Sequence, residues 1–152
     1  VSGKIRFFFR TPSTAFKFIE STGAVNDGNW HHVLGVNDQT NLKIYIDGVL
    51  NNSNTNGSLG NVGSNDTRIG ARWNNTLFMN GNIDEIAIWN SDQSSNISTI
   101  YNSGTPSNLS SLSPLAWWRF EEGSGTTAID SGTGGNNGTL INGVAYSTDV
   151  PT

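Results

Sequence analysis

The stretch Leu42-Lys43-Ile44-Tyr45-Ile46-Asp47-Gly48 decides the fold class of this chain. Its three aliphatic residues alternate with Lys43 and Tyr45, and a period of two is typical of a strand with one buried face. Asp47-Gly48 follows directly and favours a tight turn, because glycine adopts positive φ angles without a steric penalty. The stretch therefore predicts a strand that ends in a tight turn, as in an antiparallel hairpin.

The same pattern of short alternating stretches between turn residues extends over most of the chain. Upstream, Asn26-Asp27-Gly28-Asn29 predicts a turn into a strand at Trp30–Val36. One helix is expected, with Ser94 as its cap and Gly104 as its left-handed C-terminal residue, whereas Asn51–Asp66 is expected to be a long loop. Further strands are expected at Lys4–Arg10, Ala15–Glu20, Thr67–Arg72, Asn82–Asn90 and Leu115–Glu121, with short ones marked by Leu140 and Val144.

The composition excludes several classes of protein. Asn, Ser, Gly and Thr supply 72 of the 152 residues, and because these types favour turns and suit helix interiors poorly, a helical bundle is excluded. Only 13% of the residues are charged and the net charge is −4, so the sequence offers no basic stripe for nucleic acid. No apolar run reaches the roughly 18 residues that span a bilayer, so membrane insertion is not expected.

Four motifs, in order, resemble the laminin-G-like, concanavalin A-like family of β-sandwich domains that is common in bacterial surface proteins. They are Asp27–Val33, similar to the family's WHHVA strand, Leu42–Gly48, similar to its YVDG hairpin, Arg68–Gly70, and Phe78–Ile86, similar to its FxGxIDEV segment. The resemblance implies an all-β fold, namely an antiparallel β-sandwich of the jelly-roll, concanavalin A-like type with one short helix.

The C-terminal part resembles the beginning of such a unit rather than its end. The stretches that carry this resemblance are Trp117–Thr126, Asp130-Ser131-Gly132 and Asn137–Leu140. We therefore expect residues 1–110 to be the C-terminal part of one sandwich, 111–114 a linker, and 115–152 the start of a following unit. Alternatively, the strand at Trp117–Phe120 completes a sandwich, either within the chain or on a neighbouring copy through strand exchange.

The resemblance implies a non-catalytic recognition or adhesion module that binds a glycan or a protein surface, outside the cell or at the cell surface. The lack of cysteine and the scarcity of Lys and Glu also suit an extracellular bacterial or viral module. The alternative is a structural or assembly subunit of a phage or virus particle, or of a surface filament. Such a subunit would form a homo-oligomer or tandem-domain contacts through exchanged strands or sandwich edges.

An enzyme is not expected from the carboxylates of the chain. Glycoside hydrolysis requires two carboxylates that face each other across a cleft, about 5–10 Å apart. Asp84 and Glu85 are neighbours on a predicted strand, so their side chains point to opposite faces. His31 and His32 are excluded as a chelating pair for the same reason.

A glycan site requires an exposed aromatic platform with polar neighbours. Trp73 fits this requirement, because Arg72, Asn74 and Asn75 flank it in a turn-like stretch between two predicted strands. These four residues are the predicted ligand-binding site. The other tryptophans divide into further candidates, Trp89 and Trp117, and expected core residues, Trp30 and Trp118.

A structural calcium ion is the cofactor that the resemblance implies, because laminin-G-like domains often hold one. Calcium takes carboxylate, amide and carbonyl oxygens from loops, and Asp130, Asn136 and Asn137 are the predicted ligands. The same residues also suit an ordinary turn, since Asp and Asn side chains bond to nearby backbone groups.

Overall fold

The computed structural model describes residues 3–10, 16–57, 67–72 and 77–152. Within these ranges the extended structure is antiparallel, and one short α-helix accompanies it, as predicted. The chain divides into two compact units, one formed by residues 1–64 and 91–107 and the other by residues 65–90 and 108–152. None of the helical segments in the described ranges has the length and hydropathy that a bilayer-spanning helix requires.

The described part of the first unit forms two small antiparallel sheets. One pairs β1 (Arg6–Arg10) with β2 (Phe16–Glu20), and the other places β4 (Leu42–Ile46) between β3 (Val33–Asn37) and β5 (Val49–Asn54). The tight turn after β4 is confirmed, because Asp47 and Gly48 both have positive φ angles, 51° and 76°, as a two-residue hairpin turn requires.

Strand β5 corrects the prediction of a loop that begins at residue 51. The chain remains extended as far as Asn54 because it pairs with β4, with a register shift opposite Ile44 and Tyr45. Residues 58–66 of the predicted loop lie outside the described residues. The propensity of an Asn-rich stretch for turns is thus overridden by pairing with a neighbouring strand.

The core of the first unit is the buried face that the alternation in Leu42–Ile46 predicts. Its members are Ile19, Leu42 and Ile44, with Ile5, Phe7 and Ile46 packed against them. Burying an aliphatic side chain of this size contributes about 1.5–3 kcal/mol. On β3, a side chain at Gly35 would lie 2.7 Å from the ring of Phe7, so glycine is what allows this ring to pack against the strand backbone.

The predicted helix is present, but it is shorter and is capped differently. Helix α1 spans Ile97–Tyr101 between two 3₁₀ turns, Ser94–Asn96 and Asn102–Gly104, and it buries Ile100. The Ser94 side chain does not cap it; Asp92 Oδ1 accepts bonds from the N and Oγ of Ser94 instead. The left-handed residue that ends α1 is Asn102 rather than Gly104, since Asn tolerates this conformation.

In its described residues, the second unit contains four short strands around a small core. Strand β6 (Ile86–Ile88) pairs with β7 (Ala116–Trp118), and β8 (Thr127–Ala128) pairs with β9 (Gly138–Thr139). The predicted strands at 82–90 and 115–121 are thus cut to three residues each. Glu85 and Phe120 have φ angles of 51° and 58°, so the chain leaves the extended conformation directly before β6 and shortly after β7.

Two further strand predictions in the second unit are wrong. Residues 67–72 do not form a strand, because Gly70 has a φ of 75° that breaks the extended conformation. Val144 is exposed and lies outside the described strands, whereas Leu140 directly follows β9 and packs against the core of Ala116, Trp118 and Ala128.

Strand β7 pairs with β6, in the register Ile86↔Trp118 and Ile88↔Ala116. Which sandwich this strand completes, within the chain or on a neighbouring copy, stays a prediction. The division into the end of one unit, a linker at 111–114 and the start of another stays a prediction.

Candidate functional site

The predicted glycan site belongs to the segment of residues 67–82 in the second unit. Of its four residues, Arg72 is described and is exposed to solvent. The other three, Trp73, Asn74 and Asn75, lie outside the described residues, so the aromatic platform itself stays a prediction. What the structure describes are the two flanks on either side of this platform.

The two flanks are tied to each other and expose large apolar side chains. The backbone N–H of Met79 donates to the carbonyl oxygen of Gly70 over 2.8 Å. Leu77 and Phe78, directly before this bond, are 75% and 61% exposed. Aromatic residues and Met are enriched in protein interfaces, so the described flanks have the character of a contact surface.

A second exposed surface lies on β1 and β2, and the sequence analysis did not single it out. Phe8 and Phe18 stand directly opposite each other in the strand register and are 53% and 43% exposed. Beside them, Arg6 Nε donates to Glu20 Oε1 over 2.8 Å, and the Arg6 guanidinium lies 4.8 Å from the centre of the Phe18 ring. We name these four side chains the β1–β2 face.

Alternation along the two strands explains why this face exists. Phe7 and Ile19 point into the core, so the residues on either side of them point away from it. The signal was present in the sequence, because Arg6 and Phe8 flank Phe7 just as Phe18 and Glu20 flank Ile19. The strand register, which the sequence did not provide, is what sets one exposed ring against the other.

Asparagine side chains of β5 hold β2 in position. Asn52 Nδ2 donates to the carbonyl of Glu20 over 2.8 Å, and Asn54 Nδ2 donates to the carbonyl of Phe18 over 2.9 Å. Asn51 Oδ1 accepts a bond from the backbone N–H of Thr22 over 2.8 Å. The polar stretch that resembles a loop is therefore a strand whose side chains bond to the backbone of β2 and its C-terminal extension.

The two adjacent histidines, His31 and His32, have environments that shift their pKa values in opposite directions. His31 Nδ1 lies 2.8 Å from Asp47 Oδ2, and His31 Nε2 lies 3.1 Å from Asp27 Oδ1. The bond to Asp47 raises the pKa of His31, with a smaller contribution from Asp27 and with burial acting against both. His32 packs against the ring of Tyr101 at 5.6 Å, and burial lowers its pKa.

These contacts give the WHH and DG motifs a structural role. Asp47 Oδ1 also accepts the backbone N–H of His32 over 2.9 Å, and the N–H of Asp47 donates to the carbonyl of His32 over 3.0 Å. A side chain at Gly48 would lie 2.5 Å from the ring of Tyr101. The residues of both motifs therefore fasten the β4–β5 turn to the entry of β3.

Trp117 is buried, so the prediction that it is a candidate exposed aromatic is wrong, whereas Trp118 lies in the core as predicted. Trp117 Nε1 donates to Glu85 Oε2 over 2.6 Å, and Arg119 Nε donates to Glu85 Oε1 over 3.3 Å. The Arg119 guanidinium also lies 5.0 Å from the centre of the Trp117 ring. Burial raises the pKa of Glu85, and the bonds from Trp117 and Arg119 oppose this effect.

Two other tryptophans are only partly buried. Trp89 Nε1 donates to the carbonyl of Leu112 over 3.0 Å, which fixes the indole at the surface of the second unit. Trp30 is half-buried rather than fully in the core, contrary to the prediction. Trp30 lies directly before the two histidines and outside β3, which begins at Val33.

The predicted calcium ligands lie in the turn of residues 130–137, where backbone N–H groups occupy the side-chain oxygens of Asp130 and Asn137. Asp130 Oδ1 accepts the N–H groups of Trp117 and Gly132 over 2.7 and 2.8 Å, and Oδ2 accepts the N–H of Asn136 over 2.7 Å. Asn137 Oδ1 accepts the N–H of Asp130 over 3.0 Å. Burial opposes the charge on Asp130, but the three backbone bonds together hold its pKa below the usual value.

This arrangement leaves Asp130 little capacity for a calcium ion. A carboxylate oxygen has two lone pairs; both lone pairs of Oδ1 receive N–H groups and Oδ2 receives one N–H group, so one lone pair remains, on Oδ2. In the described part of the chain, no three His, Cys, Asp or Glu side chains are grouped so that they can hold a metal ion. Calcium binding stays a prediction, and the geometry at Asp130 gives it no support.

The comparison with known families agrees with the motifs quoted above. The family model Laminin_G_3, described as the concanavalin A-like lectin/glucanases superfamily, matches residues 1–96. This range includes the four ordered motifs and leaves out the C-terminal segment that supplies β7, β8 and β9. Neither a curated protein nor a solved structure matches the chain. The chain belongs to the concanavalin A-like lectin/glucanases superfamily, and its fold class is the antiparallel β-sandwich with one short helix that the sequence predicts.

Proposed function

We propose that this chain is a non-catalytic recognition module of an extracellular or cell-surface protein, which binds its partner through residues 70–79. The observation that carries the proposal is the pair of tied flanks, with Arg72, Leu77 and Phe78 exposed beside the predicted Trp73 platform. Membership of a lectin-containing superfamily supports a glycan as the partner. Fold alone does not identify a ligand. The proposal must therefore be tested by substituting residues of this segment.

A protein surface is the second candidate partner, because Leu77, Phe78 and Met79 form an exposed run of large apolar side chains. Phe and Met are among the residue types that are enriched in protein interfaces. A monomeric domain exposes contiguous apolar patches mainly where something binds.

A glycan microarray separates the two candidates. The chain is applied as wild type and as the variants Trp73→Ala and Phe78→Ala, with Val49→Ala as a matched control, because Val49 is exposed on a different hairpin. Glycan recognition predicts that Trp73→Ala loses array binding while Val49→Ala retains it. Array binding that Trp73→Ala leaves unchanged refutes the proposed glycan site, and a wild type that binds nothing on the array favours the protein partner.

A further inference from the structure

The Asn-Gly pairs of the chain carry an inference about its covalent chemistry. They lie at residues 56–57, 80–81, 137–138 and 142–143. Asparagine is a thermolabile residue, because the backbone nitrogen of the following residue can attack its side-chain amide. Glycine leaves that nitrogen least hindered, since it has no Cβ. All four pairs have the same intrinsic chemistry, so differences in their reactivity must come from the folded structure.

The reaction consists of a ring closure and a hydrolysis. The glycine nitrogen forms a bond to Cγ of the asparagine, the bond from Cγ to Nδ2 breaks, and the proton of the attacking nitrogen leaves with the departing ammonia. Water then adds to either carbonyl of the five-membered succinimide and opens the ring, which gives aspartate or isoaspartate. The reaction needs water alone, but the glycine nitrogen and the asparagine side chain must be able to approach each other.

A hydrogen bond to the attacking nitrogen protects the pair Asn56-Gly57. The N–H of Gly57 donates to the carbonyl oxygen of Thr40 over 3.0 Å, and Gly57 is buried. A Cβ at Gly57 would lie 2.4 Å from the backbone N of Asn41, so this glycine is packed closely against the backbone beside it. Gly57 must therefore leave that backbone before its nitrogen can attack.

The pair Asn137-Gly138 is held both through its side chain and through its strand. Asn137 Oδ1 accepts the N–H of Asp130 over 3.0 Å, which fixes the amide that would be attacked. Gly138 belongs to β9 and pairs with Ala128 of β8. Because these contacts must open before Gly138 N reaches Cγ of Asn137, the reaction is slowed by the free energy of local opening.

The pairs Asn80-Gly81 and Asn142-Gly143 lack such contacts. All four residues are exposed, and in the described part of the chain they belong to no strand and to no backbone hydrogen bond. The turn at 142–143 is closed by the N–H of Val144, which donates to the carbonyl of Ile141 over 3.4 Å, longer than the usual distance of about 2.7–3.2 Å. A Cβ at Gly143 would meet nothing within 4 Å, so this turn is open to water.

We propose that Asn80 and Asn142 are sites of spontaneous deamidation in the folded protein, whereas Asn56 and Asn137 are protected. Each event replaces a neutral amide with a carboxylate, so two events change the net charge from −4 to −6. The isoaspartate product also inserts a methylene group into the backbone, which changes the direction of the chain at that residue.

The new carboxylate at residue 80 directly follows Leu77–Met79, the exposed apolar run of the proposed contact surface. A charge placed beside an apolar contact is costly to remove from water. Deamidation of Asn80 therefore alters the surface that recognition would use. This consequence rests on the proposed function, whereas the assignment of the two sites does not depend on it.

The test is peptide mapping of the purified chain after storage at mildly alkaline pH. Tandem mass spectrometry with electron-transfer fragmentation locates each asparagine that has exchanged NH₂ for OH, and it distinguishes isoaspartate from aspartate. The chain unfolded in guanidinium chloride shows the reactivity of all four pairs without the fold. Asn80→Gln and Asn142→Gln are the matched variants, because glutamine keeps the amide but would have to close a six-membered ring, which forms more slowly.

In the folded chain we expect Asn80 and Asn142 to convert at least about tenfold faster than Asn56 and Asn137, which corresponds to about 1.4 kcal/mol of opening free energy. All four pairs should convert at similar rates in guanidinium chloride, and neither glutamine variant should convert at its substituted position. The folded-state rates should rise with pH, because the attacking nitrogen must lose its proton.

Two results would overturn the proposal. One is that Asn56 or Asn137 converts as fast in the folded chain as the two exposed asparagines do. The other is that Asn80 or Asn142 stays intact in the folded chain while the same residue converts in the unfolded one. Because peptide mapping involves no binding partner, either result leaves the proposed recognition function untouched, and a failed glycan array leaves the two modification sites untouched.

Discussion

Trp117 Nε1 donates a 2.6 Å hydrogen bond to Glu85 Oε2, and this bond joins two parts of the chain that resemble opposite ends of a family unit. Glu85 precedes β6, and Trp117 lies in β7, with which β6 pairs. We expect Glu85→Ala to destabilise the protein by about 1–3 kcal/mol, because it leaves the buried indole N–H without an acceptor. Urea denaturation of the purified chain measures this loss.

Two variants separate the hydrogen bond from the charge of Glu85. Burial raises the pKa of Glu85, which means that the site tolerates a neutral side chain, so Glu85→Gln should retain most of the stability that Glu85→Ala loses. Glu121→Gln removes the carboxylate of the other, exposed partner of Arg119 and should change the unfolding free energy by less than about 0.5 kcal/mol. If Glu85→Ala and Glu121→Gln lowered the unfolding free energy equally, the hydrogen bond between Trp117 and Glu85 would not be what stabilises this region.

Asp130 organises the turn that follows β8 through three backbone bonds. Asp130→Ala should cost about 3 kcal/mol or more, because it leaves three N–H groups without their acceptor. The wild type should also lose stability as the pH falls below about 3.8, the unfolded-state pKa, since the folded-state pKa is lower. Acid titration of the melting temperature measures both effects, and the variant should lack the part of the acid transition that Asp130 contributes.

The backbone hydrogen bonds to Asp130 also predict how the protein responds when calcium is removed. Because the three N–H groups leave Asp130 a single lone pair, on Oδ2, for a cation, we expect the melting temperature to change by less than about 1 °C between EGTA and millimolar calcium, whereas binding to the native state would raise it with ligand concentration. A rise of several degrees that Asp130→Ala abolishes would restore the predicted calcium site.

The sequence predicted the fold wherever one local signal was enough. The alternation in Leu42–Ile46 and the pair Asp47-Gly48 specify a strand and its turn, and both are present. Strand β5 was missed because its residues after Leu50 are Asn and Ser, whose local preference is for turns. Only the neighbouring β4 and the backbone of β2 make that stretch extended, and such tertiary partners are not visible in one sequence.

The candidate sites could also be predicted only in part, because they depend on tertiary partners that one sequence does not show. The alternation around Phe7 and Ile19 separates the two faces of each strand, but it does not show that Phe8 stands against Phe18, because the register depends on how the strands connect. Trp117 was expected as a candidate for exposure and is buried because Glu85 accepts its N–H. An indole can enter a core when such a distant acceptor is available.

The asparagine side chains of β5 give a prediction of their own. Asn52→Ala and Asn54→Ala each remove one bond to a carbonyl of β2, so each should cost about 0.5–1.5 kcal/mol. Amide exchange in β2 should become faster, because this strand loses its side-chain partners. Ser53→Ala, on an exposed residue of the same strand, is the matched control, and a double Asn variant as stable as this control would refute the role of the two amides.

His31 and His32 should titrate on opposite sides of the unperturbed value of 6.5. His31 faces a carboxylate at each ring nitrogen, and only the imidazolium can donate to both, so its folded-state pKa is raised. Its contribution to stability is complete below pH 6.5 and is lost as the pH rises through the folded-state pKa. Burial lowers the pKa of His32, so its contribution is complete above pH 6.5 and is lost as the pH falls through the folded-state value.

Nitrogen-detected NMR titration of the two rings measures both values in one sample, and each histidine is the control for the other. The melting-temperature difference between wild type and His31→Ala should be larger at pH 5.5 than at pH 8.5. The difference should be small, because the carboxylates of Asp27 and Asp47 are partly exposed and solvent screens the ion pairs. When His31 loses its proton, the 3.1 Å bond to the more exposed Asp27 should break first and release the turn before β3. A His31 pKa below 6.5, or a stability difference that grows with pH, would show that the two carboxylates do not hold the imidazolium.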